Sequence, residues 1–136
     1  IIKGVLTSED ALKSLQLSVD GIWISNHGGR MFNSGISGVN SILEIKKKIP
    51  KIKTKIFIDG GVRKGSDILK LLCLGADFVG IGRPAMHGLI LSGHKGVSDV
   101  FKILNNELKV MMENGGFKNF KDFKISRIKF KWKIKK

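Results

Sequence analysis

Histidine and arginine occur close together in one glycine-containing segment, and these residue types suit acid–base chemistry on a small anion. His27 and Arg30 are three residues apart in the segment His27–Gly38. An imidazole takes up a proton near neutral pH, and a guanidinium binds a carboxylate through parallel hydrogen bonds. The spacing therefore indicates a small carboxylate substrate that Arg30 binds and from which His27 removes a proton.

Two further segments combine glycine with arginine. Gly60-Gly61-Val62-Arg63 follows Asp59, and Gly82 precedes Arg83. Glycine lets backbone N–H groups approach phosphate oxygens closely, and arginine binds those oxygens in a fork. These residues predict a pocket for a polyanion. The full set that we expect to form it is Lys3, Ser25, His27, Arg30, Asp59, Gly60, Gly61, Val62, Arg63, Gly82 and Arg83.

Each segment follows a short apolar stretch, and amphipathic stretches lie between them. The predicted strands are Ile1–Val5, Gly21–Ser25, Lys55–Asp59 and Phe78–Ile81. The first predicted helix starts at Thr7, where the sequence resembles a capping box, and has Ala11, Leu12 and Leu15 on its inner face. The other predicted helices are Val39–Lys48, Ser66–Leu74 and Val97–Asn114. The last of them carries an apolar stripe formed by Val100, Phe101, Leu104, Leu108 and Met111.

Apolar strands that alternate with helices are typical of a parallel sheet covered by helices. Four such units are half of an eight-unit barrel, which takes roughly 250 residues. Periodicity alone allows a doubly wound sheet as well. In both architectures the chemistry-bearing residues follow the carboxyl ends of the strands, which is the functional edge.

The net charge of +14 raises the question of nucleic-acid binding. Two stretches hold nearly all of it: Phe117–Lys136 carries +8 and Glu44–Lys55 carries +5, which leaves +1 for the rest of the 136 residues. A nucleic-acid surface usually spreads its charge over a structured face with aromatic groups. We therefore interpret both stretches as solvated surface and expect no nucleic-acid partner.

The composition restricts the kind of protein that this chain can be. A hydrophobic content of 42% predicts a globular chain, and no apolar run approaches the roughly 18 residues of a membrane span. The single cysteine, Cys73, excludes an internal disulfide, and we expect it in the core. His87 and His94 are interpreted as surface or capping residues, so no metal site is expected.

Four motifs together resemble the C-terminal motifs of the FMN-dependent 2-hydroxy-acid oxidases and dehydrogenases, which include the glycolate oxidases. They are Lys3-Gly4-Val5, Ser25-Asn26-His27-Gly28-Gly29-Arg30, Asp59-Gly60-Gly61-Val62-Arg63 and Gly82-Arg83-Pro84. The resemblance covers residues 1–123, which we expect to be the C-terminal half of a (β/α)8 barrel, a TIM barrel, with a long helix. Residues 124–136 form a basic tail.

The resemblance implies a role for each motif residue. His27 is similar to the active-site base, and Arg30 to the arginine that binds the substrate carboxylate. Lys3 and Ser25 resemble residues that contact the flavin, and a cation near the flavin stabilises its anionic reduced form. Asp59–Arg63, Gly82 and Arg83 resemble the segments that hold FMN; Asp59 is also expected to orient His27 or its loop.

The activity implied is oxidation of an (S)-2-hydroxy acid to a 2-oxo acid, with dioxygen reoxidising the flavin and giving hydrogen peroxide. Relatives contribute two tyrosines and an aspartate from an N-terminal half, whereas this chain has no tyrosine. We therefore expect a fragment that binds FMN weakly and does not turn over alone. A homotetramer is expected of a complete protein. The location implied is peroxisomal, although Ile134-Lys135-Lys136 is not a peroxisomal signal.

The motif departs from the family at Asn33, where relatives carry an aspartate. This difference bears on efficiency and substrate preference more than on reaction class. Two alternatives stay open. One is another FMN- or phosphate-binding barrel enzyme, which would not need the pair of His27 and Arg30. The other is a non-catalytic half barrel that binds polyanions through its basic tail.

Overall fold

Short strands alternate with helices through residues 1–31 and 35–129, the part of the chain that the computed structural model describes. The elements are β1 Ile2–Lys3, α1 Ser8–Gln16, β2 Gly21–Ile24, α2 Gly38–Lys48, β3 Lys55–Ile58, α3 Gly65–Cys73, β4 Phe78–Val79 and α4 Arg83–Asn114. Short 3₁₀ helices lie at His27–Gly29, Phe120–Asp122 and Ile125–Arg127. The predicted α/β class is confirmed.

The described strands form one parallel sheet in the order β1-β2-β3-β4. Each strand adds beside the previous one, so the order does not reverse within the described residues. A doubly wound sheet reverses its order at a switch point, whereas successive strands of a barrel keep one direction. Consecutive barrel units have this order, and the four described strands contain no switch point of a doubly wound sheet.

The core lies between one face of the sheet and the helices. Ile22, Ile24, Ile56 and Ile58 are 0% exposed, because alternate residues of β2 and β3 point to this face. The helices cover it with apolar side chains that include Ala11, Ile42, Ile45, Leu71 and Leu74.

The other face carries a row of side chains at one register. Lys3, Trp23, Phe57 and Phe78 are successive Cα partners across the sheet. The Trp23 and Phe57 rings stack at 5.5 Å between centroids, and the Phe57 and Phe78 rings at 4.5 Å. Phe78 remains 50% exposed. No helix of the described chain covers this aromatic row.

Several predicted boundaries and faces were wrong. The strands are shorter than expected, so Ser25 and Asp59 lie just beyond strand ends. Leu12, Phe101 and Met111 are exposed although they were assigned to inner faces. On α1 the serines Ser8 and Ser14 are buried instead. The predicted capping by Thr7 is confirmed: its side chain accepts a hydrogen bond from the Asp10 N–H.

The last helix starts much earlier than predicted. It begins at Arg83 rather than Val97, and its backbone breaks at Ser92 and Gly93, where Gly93 has φ +57°. The part after the break packs on α3, where a Cβ at Gly65 would overlap the Leu108 backbone. Glu107 adds a hydrogen bond to the contact between α3 and α4, since its carboxylate accepts from the Gly65 N–H at 2.7 Å.

Asp77 links β3 to β4 at the amino end of the sheet. Its carboxylate accepts hydrogen bonds from the Ile56 N–H at 2.9 Å and from the Lys55 ammonium at 2.8 Å. Partial burial works to raise the pKa of Asp77, but these hydrogen bonds and the charges of Lys55 and Lys46 outweigh it and lower the pKa. The carboxylate is thus stabilised in its ionised form.

The chain after α4 folds back on the body. The Arg127 guanidinium lies over the Phe117 ring at 4.5 Å and donates a hydrogen bond to the Gly115 carbonyl. Ile128 packs against the core, and burial raises the pKa of the Cys73 thiol. Residues 130–136, most of the predicted tail, lie outside the described residues, as does Asn33. Among the described residues, no helix is long and apolar enough to cross a membrane.

Candidate active site

The parallel sheet places the predicted site residues at one edge. Lys3 ends β1, Ser25 follows β2, Asp59 follows β3, and Gly82 lies three residues after β4. Parallel strands present their carboxyl ends at the same edge of a sheet. The segments that are far apart in the sequence are therefore neighbours in space.

Lys3, Ser25 and Asp59 form one polar cluster. The Lys3 ammonium donates a hydrogen bond to the Ser25 hydroxyl at 2.8 Å and forms an ion pair with Asp59 at 3.3 Å. It also lies 5.2 Å from the centre of the Trp23 ring. Ser25 is only 1% exposed, whereas the Lys3 side chain is 42% exposed. The partners fix the ammonium while leaving it accessible from the cavity side.

His27 is held in an uncommon backbone conformation. Its φ is +55°, in the left-handed region that costs a non-glycine residue roughly 1–2 kcal/mol. Its N–H donates to the Ser25 hydroxyl at 3.2 Å, and its carbonyl accepts from the Arg30 N–H at 3.4 Å. Gly28 and Gly29 continue with positive φ, so the chain turns sharply between His27 and Arg30. His27 and Arg30 are both exposed.

The segment Gly60–Arg63 turns from β3 into α3. Gly60 has φ +99° and Gly61 φ +76°, conformations that glycine adopts freely. A Cβ at Gly61 would meet no atom within 4 Å, so this backbone borders open space. Asp67 anchors the far side by accepting hydrogen bonds from the N–H groups of Arg63 and Lys64, both at 3.1 Å.

The start of α4 points at the same space. Gly82 is its N-cap and has no capping side chain, and a Cβ there would meet no atom within 4 Å. The first N–H groups of a helix lack partners within the helix and carry a partial positive charge. With Arg83 as the next residue, this end of α4 is suited to an anion.

All eleven predicted residues border one cavity of about 810 Å³. This volume falls in the range of about 300–1,000 Å³ that ligand pockets usually have. The charged lining consists of four cations and a single carboxylate, Asp59. The remaining lining residues are Trp23, Gly28, Val79, Gly80, Ile81, Met86 and Phe101. The cavity therefore joins a cationic, glycine-rich part to apolar surface.

The Asp59 partner differs from the expectation. Asp59 was expected to orient His27 or its loop, whereas its carboxylate forms an ion pair with Lys3. His27 lies near the end of β1, and its Cε1 is 3.7 Å from the position that a Cβ would take at Gly4. The backbone of the His27 segment is held by its own neighbours, Ser25 and Asn26.

Seven lining residues were not predicted from the sequence, and Trp23, Met86 and Phe101 are the largest of them. Trp23 could have been found, since alternation along β2 puts it on the face opposite Ile22 and Ile24. Asn26, which supports the site without lining this cavity, could also have been found, because an asparagine side chain often bonds the backbone two residues on, here at Gly28. Nothing in the sequence pointed to Met86 and Phe101. They reach the cavity from the two parts of α4, and that arrangement depends on the break at Gly93.

The fold and the cavity together define a parallel α/β protein with a ligand site at the carboxyl ends of its strands. Comparison with known proteins identifies the family. The profile of the FMN-dependent dehydrogenase family matches residues 1–130. The chain therefore belongs to this FMN-dependent family.

The relatives include oxidases of hydroxy acids. The chain is 41% identical over 128 residues to an L-lactate oxidase of Lentilactobacillus hilgardii, covering 94% of this chain and 34% of the relative. It is 39% identical over 129 residues to the peroxisomal (S)-2-hydroxyacid oxidase of Arabidopsis thaliana, covering 95% and 35%. The chain spans about a third of the length of the curated relatives it matches.

Comparison with solved structures supports the same family. The crystal structure of a lactate oxidase from Pediococcus acidilactici superposes with a TM-score of 0.86 at 42% identity, covering 94% of this chain and 36% of that one. The structural neighbours are TIM-barrel flavoenzymes, and the parallel α/β arrangement described above is similar to theirs.

The residues present suit FMN. The cofactor carries a phosphate, and the unfilled glycine backbones at Gly61 and Gly82 leave room for one beside arginine. Its flavin ring needs apolar surface and a cation, which Trp23 and Lys3 offer in direct contact with each other. The cationic lining has the charge that a dianionic phosphate requires.

Proposed function

We propose that this chain forms the C-terminal half of a barrel that oxidises an (S)-2-hydroxy acid to a 2-oxo acid with FMN and dioxygen. The observation that carries the proposal is the convergence of His27, Arg30 and the cationic glycine-rich segments on one cavity. A cavity for FMN alone requires the glycines and arginines. A base beside an arginine adds the means to bind and deprotonate a small acid.

Arg30 and His27 divide the work on the substrate. Arg30 binds the substrate carboxylate, because its planar fork matches two carboxylate oxygens. This holds the 2-hydroxyl carbon beside His27, whose imidazole takes up a proton as two electrons leave the substrate. The sharp turn that places both residues at the cavity supplies the proximity that the reaction needs.

FMN, when bound, would supply a two-electron acceptor that dioxygen reoxidises, giving hydrogen peroxide. Lys3 would hold a positive charge beside the flavin, which favours its anionic reduced form. Its ion pair with Asp59 and its hydrogen bond to Ser25 hold the ammonium in position. Gly60–Arg63, Gly82 and Arg83 bind the ribityl-phosphate end.

The remaining β/α units are needed for activity. Both β1 and β4 are edge strands of the described sheet, and Phe78 of the aromatic row is half exposed. A closed barrel leaves no such edges and covers its inner face. The 136 residues alone are therefore expected to bind FMN weakly and not to turn over. We use "holoenzyme" for the FMN-loaded polypeptide that contains this chain and the remaining units.

Assembly and location are proposed from the relatives. A homotetramer is the proposed assembly of the holoenzyme. A peroxisomal location is supported by the name of the Arabidopsis relative.

The test is product analysis with the holoenzyme in air. Glycolate and L-lactate are each supplied, and the 2-oxo acid and hydrogen peroxide are measured in parallel. The proposal predicts equal amounts of the two products from at least one of these acids. Absence of 2-oxo acid contradicts the proposed oxidation. Formation of 2-oxo acid without peroxide contradicts dioxygen as the electron acceptor.

A further inference from the structure

Asn26 is the residue before the proposed base, and its side chain makes hydrogen bonds in two directions. Its Oδ1 accepts from the Gly28 N–H at 3.1 Å, and its Nδ2 donates to the Ile36 carbonyl at 3.3 Å. Its backbone carbonyl accepts from the Gly29 N–H at 3.0 Å. One residue thus holds the turn after His27 and joins it to the chain just before α2.

The conformation of His27 needs this support. A non-glycine residue with φ +55° persists only when its surroundings fix it. The N–H of His27 is held by Ser25, but the turn that follows is held by Asn26. Without the Asn26 side chain, the segment from His27 to Arg30 keeps the hydrogen bond from the His27 N–H to Ser25 and the backbone hydrogen bonds of a short 3₁₀ turn.

Asn26 also lies against the next strand end. Its Oδ1 lies 3.6 Å from the position that a Cβ would take at Gly60, close to the Gly60-Gly61 backbone. Asn26 is not among the residues that line the cavity of about 810 Å³, but it borders an adjoining cavity of about 360 Å³ that shares Gly28, Gly60 and Gly61 with it. Asn26 therefore lies behind the turn that carries the proposed base, next to the main cavity.

We propose that Asn26 is a positioning residue, which fixes the backbone of His27 so that the imidazole stays aligned with the substrate. This inference rests on the proposed function. The amide is required as such, because it must accept from Gly28 and donate to Ile36 at once. An aspartate can do only the first and would place a negative charge against the Ile36 carbonyl.

The test compares Asn26→Asp and Asn26→Ala in the holoenzyme. Flavin reduction by L-lactate or glycolate without dioxygen is expected to slow by about tenfold or more, because small displacements of a catalytic group are costly. Asn26→Ala should be slower than Asn26→Asp, since it loses both contacts. The dissociation constant of FMN should stay within about twofold of the unaltered protein, because Asn26 does not border the cavity.

Ser37→Ala is the matched control. Ser37 follows Ile36 and caps α2 by accepting a hydrogen bond from the Asn40 N–H, so it supports the loop end without reaching His27. Its loss should lower the melting temperature and leave the rate of flavin reduction unchanged. Equal slowing in Ser37→Ala and Asn26→Asp would overturn the proposal in favour of general loosening.

Hydrogen exchange keeps the test independent of turnover. The Gly28 amide should exchange faster in Asn26→Ala than in the unaltered protein, while Asn26→Asp retains its protection. Unchanged exchange in Asn26→Ala overturns the inference even if no substrate is oxidised. If the unaltered holoenzyme is not reduced by either acid, the proposed function fails. If it is reduced and both Asn26 variants match its rate, only the role of Asn26 fails.

Discussion

At the scale of single residues, the proposed chemistry depends on Lys3, His27 and Arg30, which reach one cavity from different parts of the chain. Residue type and spacing were sufficient to select them together with the glycine–arginine segments, and all of these residues border the cavity. The ion pair between Lys3 and Asp59 was not predicted, because it depends on the distance between two strand ends that are 56 positions apart in the chain.

Arg30→Lys tests the role of the guanidinium. A lysine keeps the charge but cannot make two parallel hydrogen bonds to a carboxylate. Loss of one charge-assisted hydrogen bond, about 1.5–3 kcal/mol, should weaken substrate binding roughly 10- to 100-fold. The measurement is the substrate concentration that gives half-maximal flavin reduction in the holoenzyme. The limiting rate should change much less.

Arg127→Lys is the control for that substitution, because Arg127 lies over Phe117 and outside the cavity. It should leave the half-maximal concentration unchanged. An Arg30→Lys protein whose half-maximal concentration matches the original would show that the guanidinium does not hold the substrate.

At the scale of elements, hydrophobic periodicity identified every major strand and helix, but it misjudged their limits. The strand predictions included Ser25 and Asp59, which lie one residue beyond the last paired residues, Ile24 and Ile58. The early start of α4 was missed, since Gly88 and Gly93 interrupt the pattern between Arg83 and Val97. In the fold these glycines permit close packing and the break.

Asp77→Asn tests the link between β3 and β4. The folded protein lowers the pKa of Asp77 below its usual 3.8, so ionisation stabilises the fold above that pH. This contribution is lost as the pH falls through the lowered pKa. The substitution should reduce the free energy of unfolding by about 1 kcal/mol at neutral pH. This difference from the unaltered protein should vanish at a pH below the lowered pKa of Asp77.

Urea unfolding from neutral to acid pH checks this expectation. Asp99→Asn is the control, because Asp99 forms an exposed pair with Lys102 that should contribute little. A difference for Asp77→Asn that stays constant with pH would show that the ionised carboxylate is not the stabilising group.

At the scale of the whole molecule, the strand order favours one of the two architectures that periodicity left open. Repeated strand–helix units fit a doubly wound sheet as well as a barrel. The order β1-β2-β3-β4 follows from which strands pair, and pairing depends on the packing of the helices. The sequence carries that information only through the complementary shapes of buried side chains, such as the isoleucines of β2 and β3.

Large apolar side chains remain exposed on α4 and at the sheet edge. Leu91, Ile90 and Phe101 are exposed on α4, and Phe78 is exposed at the sheet edge. Contiguous exposed apolar surface usually marks a region that another element covers. The chain spans about a third of its curated relatives, so the further β/α units of the proposed holoenzyme are suited to cover it.

The central claim is that His27 is the base of a flavin-dependent oxidation, and anaerobic flavin reduction tests it most directly. Holoenzyme with His27→Gln, which cannot take up a proton, is mixed with L-lactate or glycolate, and loss of the flavin's visible absorbance is followed. His87→Gln, outside the cavity, is the control. We expect bound FMN in both variants, with reduction slowed about 10²- to 10⁴-fold only in His27→Gln. Reduction of His27→Gln at the rate of the unaltered protein would show that His27 is not the base.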